Sequence, residues 1–303
     1  MVSETTDMKT EDTPEKRVEA LIRKRWETYN REWMGEERFE ALVKSKVQSP
    51  VLQKRHVSFL ESTVGSLSGL AVLDLGCGEG GFVVALREKG ARVVGVDLSM
   101  DALEIARVQL LARPSLGPPG ILGQVEGHHL PFPDNTFDLV TSVDTLEHIP
   151  DLPGFFREVN RVLKKGGRFY ANTPNRHWPY ETHCRMYFLH WVPLSLRPGL
   201  VRTFFPKRIK KIEKLRWLEA LNLQTPGELT ALSGRYFSGR EPYSRVLLNR
   251  YRNDAHQGDL QKKGVRGGLI RTFLGVARIP VLNLFIEAVV GRYSPEIILV
   301  AKK

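Results

Sequence analysis

Along the first 65 residues the apolar positions recur at helical spacing. Leu21, Ile22, Trp26 and Tyr29 return to one face, which predicts a helical lead-in over 16–65 behind a disordered, mixed-charge tail at 1–15. From Leu70 the rhythm changes to short apolar runs separated by helical stretches. The runs are AVLDLG (71–76), ARVVGVD (91–97), ILGQVE (121–126), FDLVTSV (137–143), GRFYANT (167–173) and EIILVAK (296–302). Runs that are apolar throughout are how the strands of a parallel sheet covered on both faces read. The stretches between them carry helix punctuation. Residues 80–89 are closed by Gly90, Ser99 is placed to cap a helix ending near Leu111, and Asp151 is placed to cap 153–163 before a Lys-Lys-Gly-Gly stop. Strands and helices in alternation predict an α/β doubly wound sheet. Residues 177–224, aromatic at first and then basic, interrupt the alternation and are expected to form a substrate-side insertion over the carboxyl edge, where ligands of such sheets bind. The rhythm resumes at Thr225-Pro226, a helix start. The whole of 66–303 is read as one ligand-binding domain carrying that insertion.

Charge divides the chain. Residues 1–184 hold 23 Lys and Arg against 26 Asp and Glu, whereas 185–303 hold 22 against 8, so a net charge of +11 is −3 in the first part and +14 in the last. A surface of that sign attracts an anionic substrate, nucleic acid or an anionic lipid leaflet alike. Cys77 and Cys184 are the only cysteines and form no CxxC pair, which argues against a disulfide framework or a structural zinc site and for a reducing, cytoplasmic setting. No signal-peptide h-region and no spanning apolar stretch is read. Residues 267–290 are apolar but broken by Arg271, Arg278, Pro280 and Glu287. Such a stretch packs against the sheet beside the last strand or lies on a membrane face.

The chemistry concentrates in VLDLGCGEGGF, residues 72–82, where the first strand meets the first helix. Gly76, Gly78 and Gly80 permit a tight turn and close approach of the backbone to a ligand. Such a turn serves NAD, FAD and adenosyl ligands alike. Asp74, inside the strand, is placed to receive the ammonium of a bound amino acid, directly or through water. Asp97, at the tip of the second strand, is placed to accept both ribose hydroxyls. Glu126 and Gly127, after the third strand, offer an acceptor side chain and a backbone N–H to an adenine edge.

As a set, VLDLGCGEGGF, VVGVDLS, LPFPDNTFDLV, LEHI and LKKGGRFYANTPN resemble the core segments of class I S-adenosylmethionine-dependent methyltransferases, especially the ubiquinone and menaquinone biosynthesis family with its type 11 methyltransferase domain. The resemblance covers about residues 70–175. It implies a Rossmann-like seven-stranded sheet of order 3-2-1-4-5-7-6 with strand 7 antiparallel, and S-adenosyl-L-methionine as cofactor. It implies cofactor contacts from Asp74, Gly76, Cys77, Gly78 and Gly80 for the methionine part, Asp97 for ribose, Leu98 for the adenine face, Glu126 and Gly127 for the adenine edge, and Asp144 at the fourth strand. Glu126 departs from the family's usual Asp.

A sulfonium methyl is already electrophilic, so the protein has mainly to align an acceptor and exclude water, with a base needed when the acceptor loses a proton. His148, after the fourth strand, and His177, Glu181 and His183 in the insertion are the candidate catalytic residues. The three in the insertion are a weak metal set, and no metal is assigned. Asp144-Thr145-Leu146-Glu147 replaces the Asn-Pro-Pro-Tyr type of motif, which disfavours nucleic acid as substrate. The expected activity is methyl transfer to oxygen of a small-molecule or lipid-linked, anionic acceptor, with weak peripheral membrane contact. Two alternatives are an S-adenosylmethionine-binding module without turnover and an NAD-dependent dehydrogenase. The sequence assigns no oligomeric state.

Overall fold

A computed structural model describes residues 13–117, 122–127, 129–181, 186–204, 221–240 and 295–303. The lead-in is three helices, α1 (Pro14–Met34), α2 (Glu36–Val47) and α3 (Ser49–Val64). Thr13 caps α1 by accepting the Lys16 N–H, and Pro14 opens the helix where its missing N–H costs nothing. Gly35, at φ 76, ends α1 and turns the chain into α2. Ile22 is buried with Phe39 and Val43 against Ile105 and Val108, and Leu21 and Trp26 pack at the rim of that cluster. Leu21, Ile22 and Trp26 of the predicted face thus pack toward Ile105 and Val108, and the side chain of Tyr29 lies outside the described residues.

The core consists of β1 (Ala71–Leu75), α4 (Gly81–Glu88), β2 (Arg92–Asp97), α5 (Met100–Leu111), β3 (Leu122–Gln124), β4 (Phe137–Val143), α6 (Leu152–Val162) and β5 (Leu163–Pro174). A small hairpin follows, β6 (Tyr180–Glu181) with β7 (Met186–Tyr187), and then α7 (Arg197–Phe204), α8 (Pro226–Ser233), β8 (Gly239–Arg240) and β9 (Glu296–Lys302). The main sheet runs β3-β2-β1-β4-β5-β9-β8, with β9 antiparallel to both neighbours. Counted along the chain within that sheet, β8 is sixth and β9 seventh, so the order is the 3-2-1-4-5-7-6 that the resemblance implies.

Each face of the sheet has its own core. One face packs Val72, Leu139, Tyr170 and Ile298 under α3 and α4, and the other packs Leu73, Val140, Phe169 and Leu299 under α6 and α8. Residues of alternating parity thus bury on opposite sides, which explains why the strands read as continuous apolar runs. Phe155, Phe156, Phe169 and Phe237 form an edge-to-face and stacked aromatic cluster on the α6 side, with ring centroids 5.7–6.2 Å apart.

Two boundaries differ from the sequence pattern. β3 is shorter than the run 121–126. β5 begins four residues early: α6 ends at Val162, where the Lys-Lys-Gly-Gly stop places its end, and the strand then runs through that segment with a kink. Phe137 pairs with Leu163, the register then shifts, and Leu139 pairs with Arg168. Gly166 sits at φ 78, and a Cβ on Gly167 would stand 2.9 Å from the Lys164 carbonyl oxygen, so only glycines fit the kink. Among the described residues no helix is long and apolar enough to cross a membrane. The 267–290 segment lies outside the described residues.

Candidate active site

The parallel strands β1, β2 and β4 bring three tips to one edge. Register places Asp74 beside Gly95 on β2 and beside Thr141 on β4, and Asp97 beside Gln124 on β3. Between β1 and α4 the chain passes through Gly76, Gly78 and Gly80 at φ 76, 52 and 82, all left-handed. The three glycines serve different ends. A Cβ on Gly76 would stand 2.3 Å from Thr145 Oγ1, and one on Gly80 2.7 Å from Ala106 Cβ, so these two are required by packing within the protein. A Cβ on Gly78 would meet no atom within 4 Å. Of the three, Gly78 alone leaves open space.

Asp97 closes the other side of that space. Its Oδ2 accepts the Gly78 N–H and its Oδ1 accepts the Ser99 N–H, both at 2.8 Å. Two backbone donors fix the carboxylate in plane, and each oxygen keeps a lone pair for a hydroxyl. Ser99 also caps α5, its hydroxyl accepting the Ala102 N–H. Leu98, the next residue, is an apolar side chain left 59% exposed. Asp74 is 2% exposed and accepts the Thr141 hydroxyl at 2.7 Å. Burial pushes its carboxyl up to about 7, with Thr141 opposing and the negative charge of Asp97 adding. Cys77 is buried, and burial likewise raises its thiol; the sulfur packs where a Cβ on Gly95 would come within 3.0 Å of it, holding the turn close to β2.

Beyond β3, Glu126 is exposed and its carbonyl accepts the His129 N–H at 3.0 Å. A Cβ on Gly127 would stand 2.9 Å from Phe155, so this glycine lets the turn lie on α6. Asp144, at the β4 tip, is exposed at φ 50, and its N–H donates to the Asn172 carbonyl at 2.9 Å. The next turn, Leu146–His148, places His148 outward, with its Nε2 3.9 Å from Glu147 Oε1. Glu147 is buried and accepts the Thr173 hydroxyl from β5 at 2.9 Å, and its carbonyl accepts the Asn222 N–H.

His177 is half-buried after β5, its N–H donating to Asn175 Oδ1. Glu181 lies on β6, and its side chain, like all of His183, is outside the described residues. Sequence reasoning passed over Glu147, Thr173 and Glu79. A buried acid in a turn has no periodic or motif signal of its own. Only its partners, contributed by distant strands and helices, mark it.

An acid at the tip of β2, a left-handed glycine turn with open space at Gly78 and an exposed apolar side chain beside them suit an adenosyl ligand carrying an amino acid. Comparison with known proteins agrees. A family model described as a methyltransferase domain matches residues 73–171. The ubiquinone biosynthesis O-methyltransferase of Proteus mirabilis is 30% identical over 172 residues, 56% of this chain and 67% of the relative. That of Idiomarina loihiensis is 31% identical over 172 residues, 55% of this chain and 67% of the relative. A solved S-adenosylmethionine-dependent methyltransferase from Mesorhizobium loti aligns with 82% of this chain and 98% of its own length at 19% identity, with a TM-score of 0.48.

The protein is therefore an enzyme of the transferase class that uses S-adenosylmethionine. It belongs to the class I S-adenosylmethionine-dependent methyltransferases, with relatives among the ubiquinone biosynthesis O-methyltransferases. The cofactor supplies the electrophilic methyl group. Asp97, the turn at Gly78 and Leu98 are the residues that could hold it.

Proposed function

We propose that this enzyme methylates a hydroxyl oxygen of a small or lipid-linked acceptor, with His148 as general base. The observation that carries the reading is the exposed imidazole at the β4 tip, set beside the buried Glu147 carboxyl, which is in turn fixed by Thr173. His148 takes the acceptor's proton as the hydroxyl oxygen bonds to the methyl carbon and the carbon–sulfur bond breaks. The Glu147 carboxyl, with Oε1 3.9 Å from Nε2, lies beside the imidazole that takes the proton. The names of the relatives, O-methyltransferases of ubiquinone biosynthesis, support oxygen as the methylated atom.

A membrane-facing acceptor suits the surface beyond β5. Tyr187, Phe188, Trp191 and Leu196 are each at least half exposed, and Arg197 and Arg202 stand on the helix that follows. Aromatic side chains beside basic ones are the composition of an interfacial contact, and the +14 of residues 185–303 adds attraction to anionic lipid. The occupant proposed for this surface is an anionic bilayer.

The test is mass spectrometry of lipid and metabolite fractions from cells with and without the gene, joined to co-sedimentation of the full chain with anionic and neutral liposomes. Loss of an O-methylated lipid together with salt-sensitive pelleting on anionic vesicles is expected. A methyl found on nitrogen or carbon overturns the oxygen assignment, and absence of pelleting at low salt overturns the membrane contact.

A further inference from the structure

Glu79 lies between Gly78 and Gly80 in the cofactor turn, yet its side chain goes to the N-terminal helices. The carboxylate is only 7% exposed; it accepts Trp26 Nε1–H at 2.5 Å, with Lys46 Nζ at 3.3 Å and Arg25 Nε at 3.6 Å. Lys46 also sits over the Trp26 ring, 4.7 Å from its centroid, so the groups on α1 and α2 form one cluster around the acid. A carboxylate buried this far persists only when it is paired and hydrogen-bonded, so the contacts are a condition of the turn's conformation. From the opposite side the Gln109 amide of α5 donates to the Glu79 carbonyl at 2.9 Å.

The neighbouring residue of α1 reaches the other wall of the site. Arg25 Nη1 donates to Ser99 Oγ at 2.7 Å, and the Ser99 N–H holds Asp97. Adjacent residues of one helix thus fix both the turn, through Trp26 and Glu79, and the acid at the β2 tip, through Arg25 and Ser99. A turn with three left-handed glycines loses more conformational freedom on ordering than one built of side-chain-bearing residues, so holding it in place before the ligand arrives spares that loss on binding.

We propose that Glu79 is a positioning residue for S-adenosylmethionine, whose carboxylate locks α1 and α2 onto the cofactor turn so that docking of the N-terminal helices and cofactor binding are coupled. The coupling is reciprocal: the cofactor tightens the helices by the factor by which the helices tighten the cofactor.

The full chain carrying Glu79→Gln, Trp26→Phe or both is titrated calorimetrically with S-adenosylhomocysteine, and hydrogen exchange over 14–47 is followed with and without it. Glu40→Gln is the control, since it removes an ion pair of Arg23 between α1 and α2 without touching the turn. Expected are about tenfold weaker binding in each single variant, a double variant no weaker than the worse single, and a control within about twofold of the parent. The ligand slows exchange over 14–47 in the parent and loses that effect in the variants. If Glu79→Gln fails to fold, Trp26→Phe and Lys46→Met carry the test with the same expectation. Binding within about twofold of the parent in the variants, or an equal loss in Glu40→Gln, overturns the proposal, the latter because it traces the effect to helix stability alone.

Discussion

Replacing Gly78 and Gly76 by alanine, one at a time, separates a glycine that faces the cofactor from one that faces the protein. At Gly78 a methyl meets no protein atom within 4 Å, so the cost to the fold is the left-handed backbone alone, about 1–2 kcal/mol. For a chain of this size that is a fall in Tm of roughly 2–8 °C. With the cofactor against this turn, as proposed, the same methyl enters the space it needs. An overpacked methyl costs about 1–3 kcal/mol, or roughly 5- to 150-fold in affinity. At Gly76 the methyl stands 2.3 Å from Thr145 Oγ1 and 2.5 Å from its Cγ2, so the overpacking falls on the fold in addition to the backbone cost. The expected total is about 2–5 kcal/mol of stability. The assay is thermal unfolding and S-adenosylhomocysteine titration of both variants side by side. Gly78→Ala is expected to keep most of its stability and lose affinity, and Gly76→Ala to lose mainly stability. Gly78→Ala that binds within about threefold of the parent would refute the placement of the cofactor against this turn.

Asp97→Ala removes the carboxylate proposed to accept two ribose hydroxyls and orphans the Gly78 and Ser99 N–H groups; affinity for S-adenosylhomocysteine is expected to fall roughly 100-fold or more, and an unchanged titration sinks the ribose assignment. Asp74 titrates near 7 in the fold against an ordinary 3.8, so the stability it contributes is complete below pH 3.8 and is lost as the pH rises to about 7. Asp74→Asn keeps an oxygen for the Thr141 hydroxyl and carries no charge. Its Tm is therefore expected to fall less between pH 5 and pH 8 than that of the parent, and parallel curves refute the buried-carboxyl argument. His148→Ala is expected to lower turnover by about 10²- to 10⁴-fold while leaving cofactor affinity unchanged, and full turnover in the variant moves the base elsewhere or removes the need for one.

What the sequence determined is local. Continuous apolar runs marked five strands before and one after the interruption, because a strand buried on both faces has to be apolar at every position. Ser99, Asp151 and Thr225 marked helix starts, because a short polar side chain there accepts an N–H that the helix cannot satisfy, and Glu228 completes a capping box with Thr225. Asp97 was legible as well, since a carboxylate at the end of the second strand can only emerge at the sheet's carboxyl edge. Tertiary structure decided the rest. The glycine turn reads as three equal residues, but Thr145 and Ala106, brought in from elsewhere in the chain, reserve two of them for packing and leave open space at the third. Lys-Lys-Gly-Gly reads as a helix stop, and α6 does end before it; that a strand begins there at once is decided by pairing with β4. Glu79 and Glu147 carry no signal of burial in the sequence, yet both are buried, because Trp26 with Lys46 in one case and Thr173 in the other come to meet them. Periodicity and capping are properties of a few consecutive residues. The cost of burying a charge is settled by partners that only the fold brings within reach.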